Sequence, residues 1–368
     1  MRSIRLLLPA HLAASATLAV IAACGDDAVA PAPSADASSD AAPPVTTDDA
    51  GPDAPSITPS DWTKITWERL PTLPSDGVRA GVDCNVAVDG NDHVLVTYGE
   101  SAESYATPRS LSVFRHDGTT WSTLGGTSLV ADSGSYTTSP RLAVAKDGSV
   151  YVAYTHEGPH VRRFAGGAWT TLPTPAFGSL WGILVDPAGM PAVIGMNGGG
   201  EPRMVSRFDG VAWSAPTVPP IDADASGGGR GVLAFAPRPD GSIAALVRTT
   251  MTKLGAFTLS GTTWSPLGPE LAEAVDFPAL SSSAAGHLAA AWSGADNVFA
   301  ARFDPATQTF VPLGGALGQQ FARYAVTAID ELDRPFVAWR EAGGIKVSVF
   351  DGGAWQSLPD PSLGPGTV

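Results

Sequence analysis

Two cysteines in 368 residues, Cys24 and Cys84, are too few for a disulfide framework. Basic residues are also scarce. The 22 Lys and Arg stand against 36 Asp and Glu, a net charge of −14. Such a balance repels phosphate backbones and anionic headgroups, so nucleic acid is excluded as a charge-driven partner. The one extended apolar run, Leu6 to Ala23, is broken by Pro9 and His11 and makes a poor membrane-spanning helix. Helical periodicity is weak throughout. Catalytic motifs are missing as well: Gly227-Gly228-Gly229 lacks the lysine and helix of a phosphate loop, and no Gly-x-Ser-x-Gly elbow occurs. His156 and His160 are four apart, but they fall at a predicted strand end and loop, so they read as solvated rather than metal-ligating. No metal and no cofactor is expected.

The first residues have the layout of an export signal. Arg2 and Arg5 precede the apolar run, which ends in Ile21-Ala22-Ala23-Cys24-Gly25. This resembles the lipobox of bacterial lipoproteins, an aliphatic residue and two small ones before the cysteine that is lipidated. The resemblance implies a signal peptide over 1–23, a membrane anchor at Cys24, and a location in the cell envelope, on the periplasmic side or at the cell surface. Cys84 is then left without a partner and is expected to be a small buried residue near a strand start. Residues 25–60 contain no Lys, Arg or aromatic side chain and are rich in Ala, Pro, Asp and Ser. Such a segment cannot bury enough apolar surface to offset its ordering entropy, and is expected to be a disordered tether spanning on the order of 30–35 Å. The leader holds two of the basic residues and the tether seven of the acidic ones, which leaves −9 on residues 61–368.

Those residues repeat. An aromatic-bearing strand, a Gly-rich turn and a Trp recur with Trp at 121, 169, 213, 264 and 355, and with Phe310 in one degenerate copy, a Leu following three residues on in all but the Trp213 copy. A lone strand copy, Ile65 to Leu70, carries Trp67. The steps from 67 to 355 are 54, 48, 44, 51, 46 and 45 residues, the length of a four-stranded propeller blade. Between the Trp copies lie six apolar hairpins with Asx or Gly turns, Leu142 to Tyr154 around Lys146-Asp147-Gly148 being the plainest. The fold is therefore expected to be all-β, a β-propeller of about six four-stranded blades forming one domain, 61–368, and monomeric. The strand at Trp67 is expected to close the ring beside Trp355, or else to begin an incomplete seventh blade.

The phrase Arg302-Phe303-Asp304-Pro305 through Phe310 resembles the kelch repeat, although the kelch double glycine is absent after Tyr154, Trp292 and Trp339. Asp117-Gly118-Thr119-Thr120-Trp121 is similar to the Asp-box of sialidases, with Asp and Gly adjacent where that motif separates them. In both families these turns are structural, so the likeness implies fold and not activity.

Up-and-down blades put the first-to-second and third-to-fourth turns on one face, here the turn face. The second-to-third loops and blade connections form the other, the connection face. Turn-face segments are short, whereas the connection face is expected to carry long, variable loops and the ligand. Its strand ends supply Asp83, Glu100, Arg141, His156, Glu157, Trp181, Arg230, Arg323, Tyr324, Arg340 and Glu341, with Trp292 beside them. Arginine forks take carboxylates and aromatic faces take sugar rings. These residues point to a binding module for a glycan or a protein. The alternative is a sialidase-like glycoside hydrolase with Arg141, Arg230 and Arg323 as a carboxylate clamp.

Overall fold

A computed structural model describes residues 62, 70–71, 79–101, 110–126, 128–130, 137–198, 202–221, 231–250, 253–273, 276–294, 296–318, 322–330, 332–342 and 344–360, without the side chains of 79–84, 98–101, 137–139 and 272–273. The leader, Cys24, the tether, the strand copy at Trp67 and Arg230 lie outside the described residues, as does the side chain of Cys84.

Six antiparallel sheets follow one another along the chain as six blades, so the fold is the expected all-β propeller. Blades 1, 2, 5 and 6 have four strands in simple up-and-down order. Blade 4 carries an extra two-residue strand, Ala272–Glu273. Blade 3 departs from the repeat, with three strands and only single bridges, Phe208 to Trp213 and Val205 to Thr217, where a fourth would lie. Pro216, Pro219 and Pro220 remove ladder donors there.

Second strands read as continuous apolar runs because each blade is covered on both faces by its neighbours. Val150–Tyr154, Ile243–Val247 and Leu288–Trp292 are buried throughout. The core is accordingly a set of layers between blades. Leu246, Leu288 and Phe303 interleave blades 4 and 5, and Leu95, Leu142 and Val152 do so for blades 1 and 2.

The tryptophan ladder fastens the rim. Trp169 Nε1 donates to Leu124 O at 2.9 Å, Trp213 Nε1 to Pro173 O at 2.6 Å and Trp355 Nε1 to Leu313 O at 2.5 Å, in each case to the end of the preceding blade. These indoles are half-buried, because they cap the outer edge of each inter-blade layer. Ring closure follows the same rule at the described flanks of the Trp67 segment. Trp121 of blade 1 donates to Pro71 O at 2.8 Å. Trp62 is buried on blade 6, with Nε1 2.9 Å from Asp351 Oδ2, the Arg334 guanidinium 4.8 Å over its ring and Phe336 edge-on at 5.6 Å. Two points either side of Trp67 thus bridge blades 6 and 1.

Turn-face hairpins are closed by aspartates. Asp147 Oδ1 accepts from Ser149 N, Asp240 Oδ1 from Ser242 N, and Asp330 Oδ1 from Leu332 N and Arg334 N. The kelch-like and Asp-box-like turns work likewise, with Asp117 taking the N–H groups of Thr119 and Thr120, and Asp304 that of Ala306. The backbone donor of Thr120 holds the Asp117 carboxyl far below the usual carboxylate range.

Candidate functional site

One device repeats in all six innermost strands. Near the connection face each carries residues in excess of its partner strand, a β-bulge: Thr138 and Arg141 face Thr155 and Ala153, Asp276 and Ala279 face Ser293 and Ala291, and Arg323 and Val326 face Arg340 and Ala338. Trp181 in blade 3 and Leu233 in blade 4 are single extra residues, and blade 1 has a longer insertion between Ala80 and Cys84. A bulge bends the strand and re-aims a side chain. Here it re-aims aromatics. Among the described residues the aromatic side chains that stand exposed are Trp181, Phe277 and Tyr324, each in such a bulge. Phe277 and Tyr324 take φ of +48° and +58°, a conformation costing about 1–3 kcal/mol for a bulky residue. Their rings meet at 4.4 Å, tilted by 46°.

Between blades 5 and 6 lies a cavity of about 180 Å³ lined by Asp276, Ser293, Gly294, Asp296, Ala322 and Arg323, the first and last of which precede Phe277 and Tyr324 in the chain. Arg323 faces Asp296 at 3.7 Å, and Arg248 of blade 4 faces Asp276 at 3.6 Å. Asp296 also has a positive φ, +64°, in the short turn from Leu288–Gly294 to Asn297–Asp304. The Ser293 hydroxyl is buried, 3% exposed, and has no hydrogen-bond partner. An orphan of this kind costs about 1–3 kcal/mol, so it is a group waiting for a partner.

A second zone spans blades 2 to 4. Arg203 lies 4.2 Å over the Trp181 ring. Its chain position is set by Gly231, whose φ of +88° lets Val232 N reach Arg203 O at 3.0 Å; a Cβ there would stand 2.3 Å from that oxygen. Burial first, then the fields of Arg248 and Arg141, push the Arg203 guanidinium pKa down.

The sequence-derived residues fare unevenly. Trp181, Arg323 and Tyr324 stand exposed on the connection face as expected, and Arg340 pairs with Arg323 across the blade 6 hairpin. Arg141 does not precede its strand. It lies inside Thr137–Val144 opposite Ala153, three residues along the ladder from His156, and its Nη1 donates to Pro140 O at 2.9 Å. His156 and His160 interact through backbone, His160 Nε2 lying 2.8 Å from His156 O, while Tyr154 stacks on the His160 ring. Glu157, φ +54°, forms a two-residue turn with Gly158. Glu341 accepts the Trp339 indole at 2.9 Å, which makes it a support for the blade 5–6 core. Trp292 is buried, not a strand-end aromatic. Asp83 and Glu100 fall in the first two strands, with side chains outside the described residues. Two expectations hold only in part. The second and third strands are two residues apart after His156, Gly294 and Glu341 but eight apart after Ser101 and seven after Met196, so the loops of this face are variable and only some are long. And the guanidiniums that share one field are Arg141, Arg203 and Arg248, whereas Arg323 is paired with Asp296. Phe277, Asp276, Ser293, Asp296 and Arg203 were not singled out by sequence. The Phe277-Pro278 and Ser139-Pro140 pairs at matched bulges were the available signal.

A larger cavity, about 350 Å³, lies on the turn face between blades 3 and 4, where the fourth strand is missing. Its polar groups serve the fold. Arg207 Nη1 and Nη2 bond Gly241 O and Leu259 O, with Nε unpartnered, and Asp186 and Asp209 close their own turns.

No protein-family model matches the chain, and no curated protein matches it in sequence. Solved structures resemble its fold. A Dyadobacter fermentans protein of unknown function is 16% identical over 80% of this chain and 86% of that one, with a TM-score of 0.45. The Aleuria aurantia lectin, solved with Fucα1-6GlcNAc, is 13% identical over 77% of this chain and 97% of that one, TM-score 0.48. AofleA from Arthrobotrys oligospora is 12% identical over 77% and 88%, TM-score 0.48. At these identities the likeness concerns the propeller fold alone.

Proposed function

We propose that this chain is an exported lipoprotein whose propeller is a glycan-binding module, held off a membrane by the tether from Cys24. One observation carries the binding reading: the exposed aromatics Trp181, Phe277 and Tyr324 occupy bulges of innermost strands on a single face, beside arginines and carboxylates. Bare scaffold gains nothing from exposing three large rings, two of them at strained positions, whereas a sugar presents an apolar C–H face that such rings stack against while its hydroxyls meet charged neighbours. Glycoside turnover is not part of the proposal. Binding to an immobilised glycan panel, with a fluorogenic glycoside panel beside it, tests the reading. Saturable binding without turnover is expected, and failure to retain any glycan removes the proposal. The anchor is tested separately: Cys24→Ala should abolish incorporation of a palmitate analogue, and equal labelling of both chains refutes the lipid attachment.

A further inference from the structure

We propose that the cleft between blades 5 and 6 is a subsite for one uncharged pyranose; this rests on the reading of the connection face as a glycan-binding face. The charges around the cleft cancel, Asp276 and Asp296 against Arg248 and Arg323, so a sialic or uronic acid gains no net attraction there. The arginine zone around Arg203 offers acids a better place. What the cleft does offer suits a neutral polyol. The Asp276 and Asp296 carboxylates, 74% and 54% exposed, accept from sugar hydroxyls, and Arg323 donates to a ring or hydroxyl oxygen. Both ion pairs are long and partly solvated, hence cheap to reopen. The buried Ser293 hydroxyl, unpartnered and on the cavity wall, gains a first hydrogen bond. The exposed Phe277–Tyr324 pair, next in the chain to the lining Asp276 and Arg323, provides the stacking surface, and about 180 Å³ accommodates one ring rather than a branched oligosaccharide.

Of the seven non-glycine residues with positive φ among the described residues, Asp296 lines this cleft and Phe277 and Tyr324 follow lining residues in the chain. Strain gathered at one place is what a preorganised site requires.

The test uses the full chain in detergent and saturation-transfer NMR with methyl glycosides of neutral hexoses and 6-deoxyhexoses, set against those of sialic acid and hexuronic acids. At least one neutral glycoside should bind. Ser293→Ala should weaken it several-fold and Asp296→Asn about tenfold or more, the range of a neutral and a charge-assisted hydrogen bond. Val211→Ser, on the turn face, should leave it unchanged. Neutral-sugar binding that survives both cleft substitutions overturns the subsite while the wider reading stands, and binding that Val211→Ser removes overturns both. Binding confined to the acidic glycosides overturns the subsite alone. A chain that binds none of the probes overturns both.

Discussion

Replacing Trp169 asks whether the indole ladder holds neighbouring blades together. Its ring packs 5.2 Å from Phe164, its N–H donates to Leu124 O at 2.9 Å, and its Cδ1 and Nε1 lie 2.6 Å from where a Cβ on Gly125 would stand. A fully buried Trp→Ala change costs about 3–5 kcal/mol, and the half-buried indole here should lose roughly 2–3 of that. The hydrogen bond adds about 1 kcal/mol, so Trp169→Ala should cost about 3–4 kcal/mol and Trp169→Phe about 1–2. Gly125 sharpens the test. Its φ of +77° penalises alanine whatever the neighbours do, but the severe clash is with the indole, Phe164 Cε2 standing farther off at 3.3 Å. Gly125→Ala should therefore be more damaging in the native chain than in the Trp169→Ala background, by about 1–2 kcal/mol. Urea unfolding followed by far-UV circular dichroism measures all four corners of the cycle. A loss below about 1 kcal/mol for Trp169→Ala, or additive corners, would show that the ladder is decoration on an otherwise sufficient core.

Ring closure should depend on Trp62: Trp62→Ala should lower stability by about 3–5 kcal/mol, read as an earlier unfolding midpoint, and an unchanged midpoint places closure elsewhere. Burial alone would raise the Asp89 pKa, but the His93 side chain and the N–H groups of Asn91 and His93 outweigh it, so it falls below its usual value. A depressed carboxylate contributes stability above its unfolded value near 3.8, lost as pH falls through the folded one. Native and Asp89→Asn chains should thus differ by roughly 1–2 kcal/mol at about pH 7 and converge in acid. A gap that persists at about pH 2 contradicts this.

Blade number, blade phase and hairpin turns were legible because their chemistry is local. A turn such as Lys146-Asp147-Gly148 needs only its own Asx acceptor and a glycine at positive φ, here +81° at Gly148, and Trp121, Trp169, Trp264 and Trp355 each announce a fourth strand. The bulges were not legible. An extra residue is defined against the partner strand, and no single strand shows it. Ser139-Pro140 reads as a break before Leu142, yet proline is tolerated at a bulge, so the strand begins at Thr137 and Arg141 moves inside it. The same register effect hid Phe277 and turned Tyr324 outward. Ser293 looked like an ordinary polar residue at a strand end; only the packing of blade 6 against blade 5 buries it without a partner.

Which face binds is decided by two double variants assayed on one glycan panel. Trp181→Ala/Tyr324→Ala removes exposed rings from the connection face, and Met190→Ser/Val211→Ser alters exposed apolar side chains on the turn face, Met190 lining the larger cavity. Both substitute exposed residues, so both chains should keep near-native unfolding midpoints. Glycan retention should fall at least tenfold in the first variant and stay at the native level in the second, each ring contributing about 1 kcal/mol or more. Retention lost in the second variant and preserved in the first would place the ligand on the turn face and contradict the assignment.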